Sequence, residues 1–399
     1  MRSLPAFILA TLAALVLALP STAAASPTMV IGAAEDAAKS PDPVVAKAKM
    51  DLALLAGFNA VRLTAIWAPG STAPSADELL RLQNAVAAAD LDGIRVFLSV
   101  YHYGSSTTPR TPLARAQFAQ FAASLATGLP SVRDYIIGNE PNLNRFWMPQ
   151  FNPNGSDAAA PAYEALLAQT YDALKAVSPA INVIGGSVSP RGADNPRSTR
   201  HTHSPTTFIT DLGAAYRASG RTKPIMDSFA FHPYQDNSSL PPSFAHPRST
   251  TIALADYGKL VSLLGKAFDG TAQIGSKLPI VYDEFGVESR IPFTKRAAYQ
   301  GLEPPTTHPV DESKQGAYYA QALALAACQP TVSAFLIFHV SDESDLNRWQ
   351  SGLFYADDTP KASLGPVRDA VATVRSSKLS CGGGSPSSSR RDQSPGGGK

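Results

Sequence analysis

Eight short apolar runs recur along the chain, separated mostly by stretches of helical length with one polar face. The runs are TMVIGAA from Thr28, AVRLTAIW from Ala60, IRVFLSV from Ile94, RDYIIGNE from Arg133, INVIGGSV from Ile181, MDSFAFHPY from Met226, PIVYDEFG from Pro279 and SAFLIFHV from Ser333. Each is rich in Val, Ile, Phe or Tyr, the composition of buried strands. Between them lie amphipathic segments such as DELLRLQNAVAAADLDG, LARAQFAQFAASLATG, AYEALLAQTYDALKAVSP and YGKLVSLLGKAF. Gly or Pro closes several of these, as helix C-termini prefer. Strand–helix alternation predicts an α/β protein with a parallel sheet, and eight units match a closed (β/α)8 TIM barrel better than an open doubly wound sheet. No G-x-G-x-x-G follows the first strand and no G-x-x-x-x-G-K-[ST] is present, so a nucleotide site has no support.

The connections after strands four to seven are long and rich in Pro, Asn, His and Ser. In a barrel these loops decorate the C-terminal face, where active sites are built. Of 399 residues, 44% are hydrophobic and 17% charged, enough for a large core. The formal net charge of +2 gives no hint of nucleic acid or an anionic membrane as partner. At the start, one Arg precedes an apolar stretch from Leu4 to Leu19, and Ala23-Ala24-Ala25 supplies a small-residue cleavage site. This reads as a secretory signal peptide over residues 1–25, cut after Ala25. The stretch is short for a membrane anchor and lacks a charged stop-transfer flank. A secreted domain over 26–380 is expected, then a disordered Gly/Ser-rich tail over 381–399. Export permits a disulfide between the two cysteines, Cys328 and Cys381, which would tie the last helix to its neighbour; a free buried Cys328 is the alternative.

The fourth run delivers Asn139 and Glu140 at its tip and the seventh delivers Glu284. In a parallel barrel both tips open on one face, across the mouth from each other. Two carboxylates facing across a cleft suit glycoside hydrolysis, in which one protonates the leaving oxygen and the other attacks the anomeric carbon or activates water. Asp283 and Glu288 compete with Glu284, but strand alternation points Asp283 away from the side that Glu284 faces.

GNEP at a fourth strand with DEFG at a seventh resembles the retaining glycoside hydrolases of the large (β/α)8 clan A, closest to its cellulase-like and β-xylosidase-like members. The resemblance implies Glu140 as acid/base, Glu284 as nucleophile and Asn139 as donor to the sugar 2-hydroxyl. It implies that Arg62 keeps Glu284 ionised and that Tyr234, in a His232-x-Tyr234 pattern on strand six, orients it. Tyr101 and His102 at the third strand tip would bind sugar, as would Asn142 and Trp147 in the loop after Glu140. The clan's usual Trp near the end of strand eight is missing; FLIFHVSDES places His339 there, with Trp349 able to fill the space from a loop. Two carboxyl groups about 5–5.5 Å apart are expected for retention, against about 6.5–9.5 Å for inversion. A transglycosylase on the same barrel, or a carbohydrate-binding barrel without catalysis, is the alternative. No cofactor is expected. His201-Thr202-His203 has a metal-like spacing but no carboxylate or Cys companion in the nearby sequence. The expected state is a monomer that meets only its carbohydrate, with no membrane insertion after cleavage.

Overall fold

A computed structural model describes residues 23–24, 28–376 and 379–381. Most of the expected signal peptide, and the expected tail beyond Cys381, lie outside the described residues. Eight parallel strands close on themselves: β1 (Val30–Ala34), β2 (Ala60–Trp67), β3 (Arg95–His102), β4 (Asp134–Ile137), β5 (Asn182–Val188), β6 (Ser228–Phe231), β7 (Ile280–Phe285) and β8 (Val332–Phe338). Each pairs with the next, and β8 returns to β1 with Phe338 opposite Ala34. Eight helices follow the strands: α1 (Pro43–Leu55), α2 (Ala76–Asp92), α3 (Pro112–Gly128), α4 (Ala159–Val177), α5 (Pro205–Ala218), α6 (Tyr257–Phe268), α7 (Glu312–Ala327) and α8 (Leu364–Arg375). This is the (β/α)8 barrel that the sequence periodicity predicts. Among the described residues, no helix is long and apolar enough to cross a membrane.

Local chemistry sets the helix starts. Asp42, Ser75, Thr111 and Ser204 each accept a hydrogen bond from a first-turn amide, and Pro follows Asp42, Thr111 and Ser204. Gly93 ends α2 in the left-handed region, at φ 66°.

The core has two layers. Strand alternation sends Ala60, Phe97, Ile136, Ile184, Ala230, Val281 and Ala334 into the barrel interior, where they form one small buried cluster. Their neighbours along the strands, among them Tyr135, Ile137, Val183, Phe229, Tyr282 and Phe335, face the helices and join a much larger cluster. Burying both faces explains why the strands read as continuous apolar runs rather than alternating ones.

Cys328, just after α7, is bonded to Cys381, at a sequence separation of 53. Ser380–Cys381 also forms a two-residue antiparallel pair with Ala23–Ala24. The last described residue is thus fastened to the domain, one position beyond the boundary the sequence suggests. Cleavage after Ala25 would remove the small strand and leave the disulfide. Replacing both cysteines by Ser should cost about 4 kcal/mol of stability, the loop-closure value for a ring of this length. Urea unfolding of the double variant against the oxidised protein checks it, and a change under about 1 kcal/mol would contradict this account.

Candidate active site

The inward columns of the barrel turn polar at the C-terminal end. Two residues above Ala60 on β2 stands Arg62, and two above Phe97 on β3 stands Ser99, then Tyr101. Ala230 on β6 is followed by His232 and Tyr234, and Val281 on β7 by Asp283. Period two alone brings these groups to one mouth.

Glu140 and Glu284 reach it by breaking that period. After β4 the backbone turns through Gly138 at φ 90° and Glu140 at φ 40°. A side chain at 138 would be strained by that φ, and a Cβ there would sit 2.8 Å from Tyr163, so Gly is required. The Tyr163 hydroxyl donates to Ile137 O at 2.6 Å and accepts from Gly186 N at 2.7 Å, fastening the β4 and β5 tips to α4. Glu140 N donates to Ser187 O at 2.8 Å. On β7 the register with β8 shifts between Tyr282 and Phe285. That irregularity lets Glu284 open into the cleft although Asp283, its neighbour, already occupies the inward column.

The groups interlock. Arg62 Nη1 donates to Glu284 Oε1 at 2.5 Å and to Asp283 O at 3.1 Å, and Nη2 lies 3.4 Å from Asn139 Oδ1 and from Ser99 Oγ. Tyr234 donates its phenol proton to Glu284 Oε2 at 3.1 Å. His232 Nδ1 lies 3.1 Å from Glu140 Oε1 and 3.5 Å from Glu284 Oε2. The two glutamates therefore meet over a single nitrogen. Its other nitrogen, Nε2, lies 2.9 Å from Ser187 Oγ and 3.3 Å from Asp283 Oδ2.

The charges follow from burial and partners. Burial opposes charge on Arg62, but the carboxylates of Glu284 and Asp283 outweigh it and raise its pKa. Burial, then the charges of Glu284 and Glu140, lift the Tyr234 phenol well above its usual range, so it stays a donor. Burial likewise pushes Tyr101 up to about 12, although Arg62 pulls the other way.

A cleft of about 740 Å³ opens above these groups. Arg62, Tyr101, Asn139, Glu140, Tyr234, Glu284, His339 and Trp349 all line it. Trp349 lies against Tyr234, with ring centroids 5.1 Å apart and planes at 31°, and meets Phe338 edge-on at 5.4 Å. A loop Trp thus sits beside Tyr234, the hydrogen-bond partner of Glu284, where the sequence lacks a Trp on the strand. Tyr103, 74% exposed, adds an aromatic face at the rim.

Three expected sugar contacts are placed elsewhere. His102 is buried, with Nδ1 donating to Gly104 O at 2.9 Å and its ring edge-on to Trp147; burial pulls its pKa to about 4. Trp147 is itself buried, packed at 88° against Tyr163. Asn142 is buried and accepts from Ser189 N at 2.9 Å while donating to His203 O at 3.0 Å, stapling the loops after β4 and β5 together. The polar loop of Asn142 and Trp147 folds back on the barrel, and His102 ends β3 on the face opposite Tyr101, so each side chain fills space beneath or beside the cleft. His203 also differs from expectation: Asp157 and Asp194 flank it at 3.4 and 3.8 Å. Among the described residues, no group of three or more His, Cys, Asp or Glu is placed to hold a metal ion.

Sequence reading missed Asp283 as a contact of the site, because the same alternation that separates it from Glu284 hides the β7 irregularity. It also missed Ser187, for which no local signal exists; Glu288, the competitor of Glu284 in the sequence, lines the cleft beside it. Asp342, beside the expected floor, is instead buried in an ion pair with Lys361 at 2.7 Å.

No protein-family model matches the chain, and no curated protein matches it. Solved structures do. The chain is similar to the GH39 enzyme from Xanthomonas axonopodis pv. citri, at 15% identity and a TM-score of 0.54, over 88% of this chain and 67% of that one. It is similar to a glucosidase from Croceicoccus marinus, at 16% and 0.59, over 86% and 66%. It is similar to a GH39 β-xylosidase from Caulobacter crescentus, at 18% and 0.52, over 89% and 73%. The chain spans about two thirds of these structures and about half of others. At such identities the likeness speaks to the fold, an eight-stranded parallel barrel shared with glycoside hydrolases.

Glu288 provides a test of the cleft's electrostatics. Burial, with the charges of Glu303 and Asp342, pushes its carboxyl from 4.5 up to about 8. A raised carboxyl pKa means that the folded state holds the proton more tightly, so stability is greatest at acid pH and falls as pH rises between those two values. Glu288→Gln should match the parent near about pH 4 and become progressively more stable than it toward about pH 9. Urea midpoints across pH check this; a constant offset would contradict it.

Proposed function

We propose that this protein is a secreted retaining glycoside hydrolase that cleaves β-glycosidic bonds of an extracellular carbohydrate. The observation that carries the reading is the convergence of Glu140 Oε1 and Glu284 Oε2 on His232 Nδ1, at 3.1 and 3.5 Å, on the floor of an open cleft. Carboxylates sharing one small group are close enough to act on one anomeric centre, as the short separation of a retaining pair demands.

In the first step Glu140 gives its proton to the glycosidic oxygen while Glu284 attacks the anomeric carbon, and the C–O bond to the leaving group breaks. Arg62 and Tyr234 hold one oxygen each of Glu284 and so fix the attacking carboxylate. In the second step Glu140, now ionised, takes a proton from water as its oxygen attacks the same carbon and expels Glu284. Asn139, held by Arg62 beside Glu140, is placed to bond a sugar hydroxyl. Trp349 and Tyr103 offer apolar faces to a pyranose ring. The carbohydrate class is supported by the solved structures similar in fold, which include a glucosidase, β-xylosidases and an exo-β-1,4-mannosidase. A leader of the kind read at residues 1–25 supports export.

Glu284→Gln should lower kcat on aryl glycosides by at least about 10⁴-fold while leaving the protein folded, since nucleophile and stabilising charge are lost together. The first-formed sugar from the parent enzyme, followed by proton NMR, should carry the β configuration. Near-normal activity in the variant would refute the assignment, and an α first product would refute retention.

A further inference from the structure

We propose that Asp283 and Ser187 are positioning residues, which together hold His232 as an imidazolium whose Nδ1–H serves Glu140 and Glu284 in turn. The consequence for catalysis rests on the hydrolase reading above; the protonation state does not.

The inference comes from counting protons. Ser187 Oγ donates its single proton to Asp283 Oδ2 at 2.8 Å. Toward His232 Nε2, 2.9 Å away, that hydroxyl can only accept. Asp283 Oδ2, 3.3 Å from the same nitrogen, is an acceptor too. Nε2 therefore bears a proton. Nδ1 faces Glu140 Oε1 and Glu284 Oε2. Glu284 accepts on both oxygens, from Arg62 on Oε1 and from Tyr234 on Oε2, so toward Nδ1 its Oε2 is an acceptor as well. Nδ1 bears a proton as well, and the ring is a cation.

The surroundings agree. His232 is fully buried, and the charged or titratable groups facing it are Glu140 from the loop after β4, Asp283 and Glu284 from β7, and Tyr234 from its own segment. Arg62 reaches from β2 to Glu284. Burial alone would strip the proton, but the charges of Glu284 and Asp283 and the hydrogen bonds to Asp283 and Glu140 push the imidazole up to about 10. Ser187 sits at a register shift between β5 and β6, with φ 51°. A non-Gly residue in that region is strained. What the turn achieves is to aim a hydroxyl at the Asp283–His232 contact.

The role follows from where charge rests during double displacement. Before attack, the pair of glutamates carries one negative charge, on Glu284. Once Glu284 is esterified and Glu140 has given up its proton, the single charge is on Glu140. Water's proton returns it to the start. A cation poised near both oxygens stabilises both resting places without moving, which is the preorganisation that lowers both barriers.

The protonation arm uses protein labelled with ¹⁵N-histidine, with the His232 signals assigned by their loss in His232→Asn. Both ring nitrogens of His232 should stay protonated to beyond about pH 8, whereas in Asp283→Asn the ring should become neutral near about pH 7. The kinetic arm uses an aryl glycoside. Asp283→Asn should lower kcat about 10- to 100-fold with KM little changed, and should move the alkaline limb of kcat at least a unit toward lower pH. Ser187→Gly, in which Gly accepts the positive φ, should shift both readouts the same way by less, and it carries the test if Asp283→Asn fails to fold. A neutral His232 in the parent at about pH 7, or variants whose pH profiles keep their shape at lower amplitude, would overturn the proposal. If the NMR arm holds and the parent hydrolyses no glycoside, the hydrolase reading falls and the imidazolium stands.

Discussion

Three carboxylates, Glu140, Asp283 and Glu284, crowd the floor of the barrel mouth, and two buried cations make that crowding tolerable. Arg62 bonds both the side chain of Glu284 and the backbone carbonyl of Asp283; His232 contacts all three acids. Away from water each of these charges is costly alone and tolerable only with its partners. Asp283 is the common element, since its carbonyl meets one cation and its carboxylate the other. The site is a closed electrostatic unit in which no member can be exchanged without leaving another unpaired.

The barrel makes such a unit feasible by supplying positions more rigid than any loop. Arg62, His232 and Asp283 continue inward columns of side chains whose lower members, Ala60, Ala230 and Val281, are packed inside the barrel. Departures from regular geometry occur where aim matters: the turn from Gly138 to Glu140, the shift at Ser187, and the shift between Tyr282 and Phe285. Each lets a side chain leave the period-two pattern and enter the cleft or its support.

That division also explains what the amino-acid sequence discloses. All eight strands are legible because burial on both faces demands apolar runs, and Glu140 and Glu284 are legible because a carboxyl group at the end of such a run has no packing purpose. Asp283 and Ser187 are not, since their contacts depend on local register shifts that no periodic pattern encodes. His102, Asn142 and Trp147 mislead for a different reason. The loop of Asn142 and Trp147 is polar in composition, yet it folds down onto α4 and the β5 loop, while His102 ends β3 on the face opposite Tyr101, and side chains suited to sugar become packing and staples. Trp349 is the reverse case, an aromatic residue in a polar loop that does line the cleft.

The fastening of Cys381 to Cys328 carries a consequence for how this molecule can be tethered. Cys328 immediately precedes β8, so the bond lies at the end of the barrel where strands begin, opposite the end where Glu140 and Glu284 open. Cys381, the last described residue, is therefore held at the underside. A cargo, surface or second module joined there would leave the cleft facing outward and free for a bulky polymer to approach.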